Sequence, residues 1–118
     1  MSEDIPFPVG ELPHPARADL VLAQVLFALS DPARLAIVAQ LVAGPVDMAR
    51  CQLQDPSIAK STKSHLMRVL REAGVIRNDP KGRGRTLSLR RDDLDSRFPG
   101  LLDAILSSAP PNDSTDLT

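Results

Sequence analysis

The stretch KSTKSHLMRVLREAG, residues 60–74, decides the fold. Its first six residues are polar or basic, whereas Leu66, Met67, Val69, Leu70 and Ala73 make an apolar seam through the rest. At 3.6 residues per turn that seam occupies one side of a helix, and Gly74 stops it, so the spacing predicts a helix over 60–73. Such a helix packs by its C-terminal half and leaves its N-terminal half wet.

Upstream, Ser30-Asp31-Pro32 has the chemistry of a helix start: a side-chain oxygen accepts from a first-turn amide, and proline fits the first helical position. A helix is expected from Pro32 to about Ala43, with Leu35, Val38, Leu41 and Val42 at three- and four-residue steps, ended by Gly44-Pro45. The run before it is apolar on nearly every side from Leu20 to Leu29, so it needs cover all round, from this domain or from a second copy. Between these helices and residue 60, a short helix over about 46–53, anchored by Met48 and Leu53, and a turn at Gln54-Asp55-Pro56-Ser57 are expected.

Downstream, 75–78 reads as a short strand, 79–84 as a turn and 85–90 as an alternating strand: a hairpin with a basic tip. Asp92 and Asp93 resemble a helix-opening acidic pair, and Pro99 restarts or kinks a final helix through about Ser107. Residues 1–14, with three of the eleven prolines, read as an irregular arm, 15–108 as the folded domain and 109–118 as a disordered tail.

A chain of 118 residues fits one domain, and with 42% apolar and 25% charged residues its composition is that of an ordinary soluble protein. Three Phe and no Tyr or Trp point to aliphatic helix packing. One cysteine, Cys51, excludes an internal disulfide and suits a reducing cytoplasm. No apolar run reaches the length of a membrane span, and the acidic, proline-rich start is unlike a signal peptide. The net charge of −1 hides a strong separation. Residues 60–91 hold ten basic side chains against two acidic, a net of +8, and the remainder holds four against thirteen, a net of −9. That is the footprint of a module meeting a polyanion on one side, or, more blandly, a solvated basic face.

Two helices, the second wet at its start, followed by a basic hairpin, add up to a mainly α fold with a small β-hairpin: a winged helix-turn-helix. In that arrangement the polar start of the second helix meets the DNA major groove. Lys60, Ser61, Thr62, Lys63, Ser64, His65 and Arg68 are then the candidate DNA-binding residues, with Lys81, Arg83 and Arg85 of the hairpin set to straddle the backbone or the minor groove. The competing structural reading makes Ser61, Thr62 and Ser64 plain helix surface or a capping cluster.

The segments ALSDPARLAIVAQL (28–41), KSTKSHLMRVLREAGVI (60–76) and LDSRFPGLLDAIL (94–106) resemble ArsR-type winged-helix bacterial transcriptional regulators, over about residues 20–106. The resemblance implies a homodimer joined mainly through the first and last helices, bound to an imperfectly palindromic double-stranded operator, usually as a repressor released by a signal. Two positions depart from the family pattern: Lys63 stands where an aliphatic residue is general, and Leu66 where histidine is common. Either the Lys63 stem lies along apolar surface with its ammonium turned out toward phosphate, or the helix docks in a shifted way.

Many relatives in this family sense metals, but one thiol makes a poor site, and the last helical region offers Asp92, Asp93, Asp95 and Asp103 without a histidine, so no metal or other cofactor is expected. Cys51 reads as a small, half-buried apolar residue, with a redox-sensing thiol as the alternative; an unidentified small-molecule or redox signal stays open. His14 reads as idle surface. No converging acids and bases and no phosphate-cradling glycine loop suggest an enzyme. The rival functions are a protein-interaction module that docks an acidic partner, argued from Lys63 and Leu66, and nonspecific architectural DNA binding.

Overall fold

The computed structural model describes residues 11–51 and 59–108. Five helices surround a three-stranded antiparallel sheet: α1 (Leu22–Ala28), α2 (Pro32–Gln40), β1 (Val46–Asp47), α3 (Lys60–Glu72), β2 (Ile76–Lys81), β3 (Gly84–Leu89), α4 (Arg91–Arg97) and α5 (Leu101–Ser108). Strand order is β1-β3-β2, so β2 is an edge.

The start of α2 follows the local chemistry: the Asp31 carboxylate accepts from the Arg34 amide at 3.0 Å, and Pro32 takes the first helical position. The helix stops at Gln40, three residues before the expected end, in a turn that leads to Gly44. Ile37, Val38 and Leu41 are buried, while Val42, expected inside, is exposed.

α3 ends as its sequence demands. Gly74, at φ +85°, donates to the Arg71 carbonyl and Val75 donates to that of Leu70, the paired bonds of a Schellman stop. The chain then enters β2, which pairs with β3 from Ile76↔Leu89 to Lys81↔Gly84 across a two-residue connection, Gly82-Arg83. β2 therefore runs three residues past the expected 75–78, β3 begins and ends one residue before the expected 85–90, and the turn is shorter. Pro80 lies within β2, where the missing N–H is harmless because the strand is an edge.

The helix expected over 46–53 is corrected in its described part. Val46 and Asp47 form β1, paired with Leu87 and Thr86, and Met48–Arg50 make a single 3-10 turn whose Ala49 amide is capped by the Asp47 carboxylate. The turn expected at 54–57, the Leu53 anchor, residues 1–10 of the arm and the tail from 109 lie outside the described residues. The core gathers Ile37, Leu41, Met67, Leu70, Ile76, Leu87 and Leu102, so α2, α3, the sheet and α5 share one interior. α1 gives it only Val25 and Ala28 and leaves Val21, Leu22, Leu26 and Phe27 exposed.

Candidate nucleic-acid interface

Packing by Leu66, Met67, Leu70 and Ala73 fixes which way α3 faces. All four are at most 7% exposed, so the opposite side of the helix is open to water, and Ser61, Thr62, Ser64, His65 and Arg68 are all exposed there. Lys60 is the first helical residue, described by its backbone alone. The residue before it, Ala59, is the N-cap and offers no side-chain cap, so the serines and threonine do not stand at the N-cap position. No acidic residue occurs in that turn.

Lys63 settles the question raised by its departure from the family pattern. It is half-buried, and its ammonium donates to the Met48 carbonyl at 3.0 Å, across to the 3-10 turn after β1. Its stem does lie inward, but the charge ends on protein backbone and not, as expected, out toward phosphate. Leu66, the other departure, is 7% exposed and part of the core. Both residues that argued for a protein-docking face are thus occupied in holding the fold.

At the hairpin, Lys81 and Arg83 are exposed at the tip. Arg85 behaves differently: half-buried, it donates from Nε to the Asn78 side-chain oxygen at 2.5 Å and from Nη2 to the Asn78 carbonyl at 3.2 Å. Arg77, one strand position away, makes a two-pronged pair with Asp79 at 3.0 and 2.9 Å, which holds the Asp79 carboxyl below its usual range. Residues two apart on a strand share a face, so that pairing was open to sequence reasoning and was missed. A cleft of about 270 Å³ runs between α3 and the hairpin, with Ser64, Arg68, Asn78 and Arg85 among its walls. A second groove is lined by Ser61, Ser64, His65 and Arg68. The structure thus brings Ser61, Ser64, His65, Arg68 and Arg85 together. Among the described residues, Arg68, Lys81 and Arg83 make no hydrogen bond or ion pair, so their charge is available to a ligand.

Two remaining expectations are corrected or sharpened. Cys51 is 2% exposed, and burial pushes its thiol pKa up against the opposing pull of Lys63, so it packs as a core residue more completely than expected. His14 is no idle surface residue: it is half-buried, and its Nε2 accepts from the Asn78 backbone N–H at 3.0 Å.

A helix with an exposed polar start beside a basic-tipped hairpin on a three-stranded sheet defines a winged helix-turn-helix protein. The chain is 33% identical over 88 residues to the HTH-type transcriptional regulator YceK of Bacillus subtilis (strain 168), covering 74% of this chain and 88% of that protein. Solved structures similar to it include an ArsR family transcriptional regulator, at 25% identity and TM-score 0.57 over 73% of this chain and 88% of that one. They also include the transcriptional repressor BigR from Xylella fastidiosa, at 27% and 0.52 over 65% and 85%. A third, a possible transcriptional regulator for arsenical resistance, matches at 28% and 0.54 over 77% and 100%. No family model matches the chain. The chain belongs to the ArsR family of winged helix-turn-helix transcriptional regulators, and is a DNA-binding regulator and not an enzyme.

Proposed function

We propose that the protein is a cytoplasmic, homodimeric repressor that reads its operator with the exposed face of α3. Ser61, Thr62 and Ser64 approach the major groove closely, His65 and Arg68 reach base edges or phosphates, and the amides at the helix start add phosphate affinity. Lys81 and Arg83 lie on the backbone or in the minor groove. Lys63 and Arg85 act from behind, Lys63 by tying α3 to the turn at Met48 and Arg85 by holding the hairpin through Asn78.

The observation that carries this reading is the exposure of Arg68, with no protein partner, between Ser64 on its own helix and Arg85 on the hairpin. Support for the dimer comes from α1, where Val21, Leu22, Leu26 and Phe27 are between 42% and 61% exposed, a patch whose cover fits a second copy. The acids near the C-terminus support a reading without a metal: Asp93 is engaged by Arg17 and Arg90, and Asp95 and Asp103 by Arg91. No single described helix is long and apolar enough to cross a membrane.

Fluorescence titration of the purified protein against its own upstream DNA and against random duplex tests the reading. Binding that prefers one sequence and weakens steeply with salt is expected. Arg68→Ala should cost about 1–3 kcal/mol on the preferred sequence if Arg68 contacts a base. An equal loss on random DNA would reassign it to the phosphates, and binding without any preference would leave only an architectural role. Light scattering should give twice the mass of one chain.

A further inference from the structure

An edge strand carries outward-facing backbone groups that need partners. One such group on β2, the Asn78 N–H, is taken by His14 in the chain's own N-terminal side, residues 12–18, laid across the domain as a strap. Pro13 and Pro15 have no N–H and present carbonyls only. Arg71 donates to the Pro13 carbonyl at 2.6 Å and Arg90 to that of Pro15 at 2.7 Å. Both arginines are 7% exposed, so these are buried, charge-assisted anchors. Arg97 adds bonds to the Arg17 and Ala18 carbonyls at 2.9 and 3.0 Å. Between the two proline anchors, His14 takes the Asn78 N–H, and Asn78 in turn accepts twice from Arg85, at the cleft shared with Ser64 and Arg68.

We propose that His14 is a positioning residue for DNA binding: the strap fixes the hairpin against α3 through the chain His14–Asn78–Arg85, and protonation of His14 releases it, so that operator affinity falls in acid. The proposal rests on α3 and the hairpin being the DNA-contacting surface.

The chemistry is that of an acceptor lost. A ring nitrogen accepts only while unprotonated, and imidazolium would set a donor against the Asn78 N–H. The charged groups facing His14 are Arg77 and Asp79 on β2, Arg71 on α3 and Arg90 before α4, three guanidiniums against one carboxylate. Burial, then the Arg77 charge, hold the His14 pKa below 6.5, with Asp79 pulling the other way. The strap is therefore at full strength above 6.5 and loosens as pH falls through the lowered folded value.

Two measurements on the full chain test this. The first follows the His14 ring and the Asn78 amide by NMR without DNA. Both should move together, at a midpoint below 6.5. The second measures binding of wild type, His14→Gln and His14→Ala to a duplex selected by the wild type, from about pH 7.5 down to about pH 5.5, the range in which histidines titrate. Glutamine keeps an acceptor and does not titrate. Wild-type affinity should fall below the His14 midpoint by up to about tenfold per pH unit, the slope of one coupled proton. His14→Gln should lack that slope, and His14→Ala should bind weakly throughout. The rest of the chain is the same in all three proteins, so the difference between them isolates His14. An Asn78 amide that ignores His14, or a His14→Gln profile identical to wild type, would overturn the proposal. Wild type without sequence preference at neutral pH would remove the DNA reading and the positioning role with it, while the NMR result would still report on the strap.

Discussion

Lys63 and Met48 are joined by a single hydrogen bond of 3.0 Å from ammonium to backbone carbonyl, which ties α3 to the turn after β1. A lysine so placed contributes to the fold and not to the phosphate-facing charge. Lys63→Met keeps most of the stem and loses the bond, and should cost about 1 kcal/mol in denaturant unfolding. Its binding to DNA should keep the wild-type salt dependence, whereas Lys81→Ala and Arg83→Ala should each reduce the slope by about 1. A slope reduced by Lys63→Met would place its ammonium on phosphate after all.

Arg34 closes the end of α1. It is 8% exposed, donates to the Ala28 and Phe27 carbonyls at 2.8 and 3.1 Å, and lies 5.1 Å from the Phe27 ring centre. The Ala28 carbonyl is an orphan of a helix end whose buried bond comes from the guanidinium, whereas the Phe27 carbonyl also accepts from the Ser30 N–H and Oγ. Arg34→Ala should destabilise by about 2–3 kcal/mol, read from thermal or denaturant unfolding. Arg34→Lys should recover only part of this, since an ammonium lacks the fork that reaches both oxygens.

Two glycines with positive φ should respond differently to alanine. At Gly74, φ +85°, an added Cβ would lie 2.0 Å from Leu20 Cδ2, so the chain must both strain and repack. At Gly82, φ +60°, nothing lies within 4 Å, and only the left-handed backbone opposes the change. Gly82→Ala should cost about 1 kcal/mol and Gly74→Ala about 3 kcal/mol or more, by equilibrium unfolding. Similar costs at both sites would mean that Leu20 moves aside freely.

These positions show what the sequence could and could not disclose. α2, α3 and the hairpin were legible because their signals are local: Asp31-Pro32 at a start, Gly74 at a stop, alternation in 85–89. β1 was not, because a two-residue strand has no period of its own and exists through Leu87 and Thr86, some forty residues on. The charge tally overstated the charge left free on α3 and the hairpin. Of the ten basic residues in 60–91, Arg71 and Arg90 are buried on proline carbonyls, and Lys63, Arg77 and Arg85 are held by Met48, Asp79 and Asn78. Arg91 is paired with Asp95 and Asp103, and the Lys60 side chain lies outside the described residues. Among the described side chains Arg68, Lys81 and Arg83 remain available, a distinction that depends largely on partners distant in sequence.

The last prediction concerns acid. Asp93 receives Arg17 Nε at 2.6 Å and Arg90 Nε at 2.9 Å, and these two hydrogen-bonded guanidiniums, Arg17 first, hold its carboxyl below the usual 3.8. A carboxyl with a depressed folded pKa stabilises fully above its unfolded value and stops doing so as pH falls through the folded one. Asp93→Asn removes the charge that compensates Arg90, whose side chain is only 5% exposed. At neutral pH it should lower stability by about 2 kcal/mol, less than a fully buried pair would because Arg17 is half in solvent. The gap between variant and wild type should then close as pH drops below 3.8, where the wild-type carboxyl is itself neutralised. Unfolding curves at a series of pH values provide the comparison, and a gap that persists undiminished in acid would show that Asp93 acts through shape and not through charge.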